Sequence, residues 1–467
     1  MIILKILKTN LLKTIALFIL VLISNVLQAQ TIEEVLRITL KTSPELLQKA
    51  ATKHKQEHNL QGTLGGYLPQ VDLANAYGSE KSLNETTRTE TGTTTTNPFG
   101  VSTTTPGGSI TLVRKENSIV LNQMLFDGFL VKNEVEASAA RLKSTVHDVY
   151  TTTENVILRT IEAYLEVLRL RLNVKFAKEN LANHQGIYQQ IQLRSEGGIG
   201  KKVDLDQATA RLALARTNLM EQQATLRDAE SNFRRITGVA ADVLIRPEVS
   251  AEALPITEDT AVALALQNHP DLQKAAADIL AAKADKQKAK AAYYPTLSLQ
   301  VAGTANKNID GNTDDPTNFS VMLKLNYNMF RGGKDIAQEH AAAWALEESK
   351  EALSQVRRQV EQSMRISWNA YTNSRAQLQY RKEHAEAIQK TRDAYRDQFS
   401  IGQRTLLDLL DSENELFSAN TAYISSQYVE LLGKYRVLGS MGKLMTYFKI
   451  PIPEAATYTP RKWVDGF

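Results

Sequence analysis

FSIGQRTLLDLLDSENEL, residues 399–416, holds a Gly turn, one Arg and then two carboxylates, Asp408 and Asp411, on an otherwise apolar helical face. The run before it, from Gly333 to Gly402, contains neither Gly nor Pro between those two residues. At 1.5 Å per residue a helix of that length is about 100 Å long. After the turn a half-length helix returns, near 405–438. Apolar residues in the long run recur at coiled-coil spacing: Leu353, Val356, Val360, Met364, Trp368, Tyr371 and Leu378. Such a narrow seam predicts a rod packed beside similar rods and wet on its other faces.

The same pattern occurs earlier in the chain. IGQRTLLDLL at 401–410 answers IGKKVDLDQA at 199–208, and NYNMFRGG at 326–333 answers NQMLFDGF at 122–129. YYPTLSL at 293–299 answers GYLPQVDL at 66–73, and NHPDLQKAA at 268–276 answers TSPELLQKA at 42–50. The offsets fall from 226 to 204 to 202, and the loss coincides with the Thr-rich insert NETTRTETGTTTTNPFGVSTTTPGG. That composition predicts a solvated loop. The chain therefore reads as an internal two-fold repeat. Residues 30–238 form the first copy, 239–256 a linker, 257–448 the second copy and 449–467 a tail that the pattern leaves unassigned.

Each copy is expected to hold four pieces. A helix opens at Ser-Pro or His-Pro (44–66, 270–292), and two strands follow. The long helix comes next (129–196, 334–401), then the half-length one (203–236, 405–438). In 319–330 Phe319, Val321, Leu323, Leu325, Tyr327 and Met329 alternate with Ser320, Lys324, Asn326 and Asn328. In 296–305 Leu297, Leu299 and Val301 alternate with Thr296, Ser298, Gln300 and Thr304. Strands of about ten residues suit a tilted bilayer crossing. Tyr67, Tyr77, Phe126, Phe129, Tyr293 and Tyr294 fall near strand ends, as an aromatic girdle would. Half of a soluble sandwich shows the same alternation, but no further local strand is available to cover the apolar face.

Four strands cannot close a cylinder, and an open edge in lipid leaves backbone groups unpaired. The expectation is a barrel shared between chains. Two copies give eight strands and a filled lumen; three give twelve and room for water. Three is the expected number.

The N-terminus is consistent with export. Lys5, Lys8 and Lys13 precede an apolar run at 15–23, so 1–29 reads as a signal peptide. Removing those three Lys lowers the formal net charge from +4 to about +1, which argues against nucleic acid as a partner. The chain has no Cys, so disulfides and acylation of an N-terminal Cys are excluded and membrane attachment must come from the fold.

Several smaller signals carry no chemistry. SEGGIGKK lacks the Ser or Thr of a phosphate loop. His54 and His58 lie one helical turn apart but without a third ligand. No catalytic constellation, metal site or cofactor site is expected.

These residues resemble the TolC family of outer-membrane export channels. The resemblance spans roughly Thr31 to Lys443 and rests on the duplicated order, on LPQVDL, on the LFDGF and MFRGG turns, and above all on FSIGQRTLLDLLD. It implies a mainly α chain with transmembrane β: a homotrimer whose twelve-stranded barrel, four strands per protomer, sits in the outer membrane. A coiled-coil helical tunnel would continue it into the periplasm and meet a periplasmic adaptor and an inner-membrane transporter. In that family the Gly turns lie at the periplasmic tips, where the tunnel narrows. The resemblance makes Asp408 and Asp411 stacked carboxylate rings. It makes Arg404 a gate latch whose partner is Asp206, at the matching position of VDLDQA. Phe399 and Leu205 stand where the family often has Tyr and Thr, removing two hydroxyls from the latch. Ile199, Gly200, Lys201, Ile401, Gly402 and Gln403 become adaptor-docking tips. The missing anchor Cys and the LFDGF turn lean towards type I protein secretion with an ABC transporter. Drug efflux with a proton-driven pump, or a scaffold with no pore, are the alternatives.

Overall fold

A computed structural model of the chain describes residues 30–451. The expected signal at 1–29 and all but the first residues of the 449–467 tail lie outside them. The described residues form two compact units interleaved in sequence. One comprises His54–Ser144 and Ala275–Ala352; the other comprises the chain up to Lys53, Thr145–Lys274 and the chain from Leu353 on.

The first unit holds the sheet. Strands β1 (Gln70–Ser82), β4 (Ile110–Phe126), β5 (Thr296–Lys307) and β6 (Thr317–Asn326) pair antiparallel in that spatial order. Cross-strand partners share a face, so the register can be followed across the sheet. Val71, Leu121, Val301 and Val321 make one row, and Leu73, Ile119, Gly303 and Phe319 the next. Leu299 with Leu323 and Leu297 with Leu325 extend the apolar band. The opposite face carries Gln70, Asn122, Gln300 and Met322, then Asp72, Val120, Ala302 and Ser320, then Ala74, Ser118, Thr304 and Asn318. Phe319 is 76% and Leu323 65% exposed within the chain. A contiguous apolar face of this kind needs lipid or a partner surface.

β6 stops at Asn326, four residues before the expected end, so Tyr327 and Met329 lie beyond it. Its partner explains this. Asn326 pairs with Thr296, and the residue before Thr296 is Pro295, which has no N–H to continue the ladder. The Thr-rich insert also departs from the expected loop. It folds as a helical turn, α3 (Glu85–Glu90), and an exposed hairpin of β2 (Thr93–Thr96) and β3 (Ser102–Thr105). The Thr94 and Thr104 hydroxyls meet across it at 3.1 Å. β-Branched Thr suits a strand even where nothing is buried.

LFDGF joins the sheet to a helix. Asp127 caps α4 (Leu130–Glu196), accepting from the Leu130 N–H at 3.1 Å and the Val131 N–H at 2.7 Å. Gly128 has φ +71°, and a Cβ there would stand 2.6 Å from the Ala291 carbonyl, so only glycine fits. Phe126, Phe129 and Tyr294 meet edge to face beside it, with centroids 5.3–6.4 Å apart.

The second unit is helical. Two short helices, the amphipathic α1 (Ile32–Thr42) and α6 (Glu258–Asn268), precede the Pro-initiated α2 (Pro44–Leu64) and α7 (Pro270–Ala289), most of whose residues belong to the first unit. The sequence pattern predicts the first helix of each copy only from the Pro onward. The overlooked signal is Thr31 with Glu34, a reciprocal capping box. α5 (Lys202–Thr237), α8 (Lys334–Ser400), α9 (Leu406–Ser440) and the single turn α10 (Leu444–Tyr447) complete the set. α4 and α8 are 67 residues each, so the long rods form where expected. On α8 the seam faces inward: Val360, Met364 and Tyr371 are buried in a core with Ile32, Leu36, Ile161, Tyr164, Phe233 and Tyr435.

Polar contacts tie the copies together in this unit. Asp148 of α4 receives Lys49 from α2 and Lys274 from α7, both at 2.5 Å, the Lys of each QKA motif. Burial pushes its carboxyl up, but hydrogen bonds from the two ammonium groups hold it below the usual range. The linker is pinned as well, because the fully buried Tyr164 places its hydroxyl 2.7 Å from the carbonyls of Gln30 and Ile245.

Candidate channel constriction

The turns at the ends of α4 and α8 build the candidate site. In the first, the Gly200 and Ile199 N–H groups fold back onto the Arg194 carbonyl at 2.9 and 3.0 Å. In the second, Gly402 has φ +76° and the Gln403 N–H reaches the Gln398 carbonyl at 2.9 Å. These bonds satisfy the last carbonyls of each long helix. They also push Ile199 (88% exposed) and Ile401 (68% exposed) out at the tips. Lys201, Gly402 and Gln403 are exposed beside them, and Gly200 is half-buried.

Behind the turns Ile187, Ile191, Ala208, Phe399, Leu406, Leu409 and Leu410 form a small apolar core, with Leu205 packed against it. Phe399 is buried there, and the Arg194 guanidinium sits 5.2 Å from its ring centroid. A layer of charge follows. Glu413, 1% exposed, accepts from Arg396 at 2.9 Å, Asn183 at 2.9 Å and Arg392 at 3.1 Å. His184, also buried, lies in the same stretch of α4, where desolvation pushes its imidazole below the ordinary range.

Asp408 is the third residue of α9. Its carboxylate accepts from the Thr405 hydroxyl at 2.8 Å while the Thr405 side chain caps the Asp408 N–H, a reciprocal capping box. Arg404 stands 3.9 Å from Asp408, but its guanidinium lies 4.3 Å over the Tyr395 ring and its Nε donates to Gln398 at 2.8 Å. Asp206 is exposed on α5 and makes no ion pair within the chain among the described residues. Asp411 is paired with a residue other than the turn Arg: Arg211 of α5 reaches its Oδ1 at 2.5 Å. Sequence spacing gave no hint of Arg211, because the partner comes from the other hairpin. His54 and His58, one turn apart on α2, bond Glu57 and Gln61.

Two helical hairpins closed by Gly turns, with a four-stranded sheet apolar on one face, are the make-up of an outer-membrane channel protein. Residues 35–239 and 261–429 match the outer membrane efflux protein family, and the chain belongs to that family. It is 27% identical to the outer membrane efflux protein BepC of Brucella suis biovar 1 (strain 1330), over 74% of this chain and 75% of that one. It is 22% identical to the outer membrane protein TolC of Salmonella enteritidis, over 90% and 84%. With the alkaline protease secretion protein AprF of Pseudomonas aeruginosa it shares 24% identity over 67% and 66%. The solved structure of the outer-membrane channel OprN superposes with a TM-score of 0.73 at 20% identity, covering 88% of this chain and 89% of that one. The protein is thus a TolC-like member of a family of outer-membrane channels, not catalysts, whose helical part extends into the periplasm. Channels of this family work with an adaptor and an inner-membrane pump.

Proposed function

We propose that three copies of this chain form the outer-membrane duct of a tripartite exporter, serving type I protein secretion with an ABC transporter. One observation carries the reading: two apolar rows cross all four strands, and both outer strands, β1 and β6, end in unpaired edges. Both are antiparallel to their neighbours, so β6 of one copy can meet β1 of the next and close twelve strands. The same family matches on either side of residues 240–260, which supports the duplication. The relative described as a protease secretion protein supports a polypeptide cargo; the more similar one, described as an efflux protein, favours small-molecule efflux as the second reading.

In this duct Asp408 and Asp411 line the narrow periplasmic end and attract cations. Arg404 latches onto Asp206 of a neighbouring hairpin, exchanging its present contacts for that pair. Ile199, Gly200, Lys201, Ile401, Gly402 and Gln403 receive the adaptor.

Outer-membrane fractions should yield heat-resistant trimers in mild detergent that conduct in planar bilayers; a monomer passing no ions would end the proposal. Asp408→Ala with Asp411→Ala should abolish cation preference and block by multivalent cations. Deleting the gene should deplete secreted protein; altered drug susceptibility with intact secretion would favour the second reading.

A further inference from the structure

The two carboxylates of the proposed constriction are not in the same electrostatic state. Asp411 has a guanidinium at 2.5 Å, whereas the nearest cation to Asp408 is Arg404 at 3.9 Å, already engaged by Tyr395 and Gln398. The Asp411 partner, Arg211, sits on α5 of the first hairpin, while Asp411 sits on α9 of the second. An exposed ion pair of this kind adds little stability. Its effect on the local field is another matter, because selectivity follows the net charge at the narrowest point.

The geometry points to Arg211 as a specificity-determining residue of the channel. It neutralises Asp411 within its own subunit, so in the conformation of this structure cation preference rests on Asp408 alone. Because the pair bridges the two hairpins, any separation of α5 from α9 breaks it and exposes a second ring of negative charge. Opening and cation preference are thereby coupled through one contact. This inference rests on the constriction reading proposed above.

Reversal potentials in a KCl gradient, measured on reconstituted full-length trimers, test it. Arg211→Gln should raise the potassium-over-chloride permeability ratio about threefold and strengthen block by hexamminecobalt(III). R211K should behave as the parent, and R211Q with Asp411→Asn should return to it. The exchanged pair, R211D with D411R, conserves the local charge and should also match the parent; it serves if R211Q assembles poorly. If R211Q leaves the ratio unchanged, or the exchanged pair inverts it, while D408N lowers it, Arg211 has no such role. If D408N, D411N and R211Q are all without effect, the constriction reading itself is wrong.

Discussion

Replacing Glu413 by Ala leaves Arg392, whose side chain is 10% exposed, with Asp393 as its one remaining acidic partner among the described residues. Removing one member of a buried ion pair costs about 3–5 kcal/mol, so E413A should lower the urea midpoint of the helical unit substantially. An unchanged midpoint would mean that water reaches this layer. Glu154 makes a prediction about pH. It is 7% exposed, and burial pushes its carboxyl up to about 7, although its oxygens accept the Leu444 and Met445 N–H groups at 3.0 Å. The folded protein therefore holds this proton more tightly than the unfolded chain. The stability that proton confers is complete below pH about 4.5, the ordinary value, and is lost as pH rises through about 7. The whole effect is at most about 3 kcal/mol. Glu154→Gln should remove this part of the slope of melting temperature against pH over that window. At this scale the sequence showed Asp408 and Asp411, whose spacing is local. It did not show Arg211, Arg392 or Asn183, because ion pairs between separate helices leave no periodic trace.

Helix starts make the next set of expectations. Thr405 caps α9 directly beside Asp408, so Thr405→Ala should cost about 1 kcal/mol. It should speed hydrogen exchange at the amides of the first turn of α9 and leave mid-helix amides unaffected; uniform protection would show that packing of Leu406 and Leu409 alone fixes the start. Long helices and Gly turns were legible because breakers are sparse and the seam keeps one period. α1 and α6 were missed because each is only 11 residues long and is separated from its successor by a single cap residue before Pro. The β2–β3 hairpin was missed because its Thr residues pair with each other in water, without the apolar alternation that marks a half-buried strand.

For the assembled molecule the sheet decides. Leu323 lies in the apolar band on β6 that the proposed barrel turns towards lipid, where a Lys at the bilayer midplane costs about 2–4 kcal/mol. Leu323→Lys should therefore reduce heat-resistant trimer in the outer membrane, whereas Ser320→Lys, on the polar face, should be tolerated. Equal loss from both would contradict the lipid-facing assignment. The alternation that carries this was readable in the sequence, but the strand order β1-β4-β5-β6 was not, since pairing β4 with β5 joins segments about 180 residues apart.

The two unpaired edges have a genetic consequence. If three copies close the barrel as proposed, each borrows both neighbours and a faulty copy cannot be diluted, so a plasmid-borne allele with a defective tip but an intact sheet should poison the chromosomal one. At equal expression only about one barrel in eight would be free of the bad allele. Export should then fall as the cube of the healthy fraction, instead of in proportion to it.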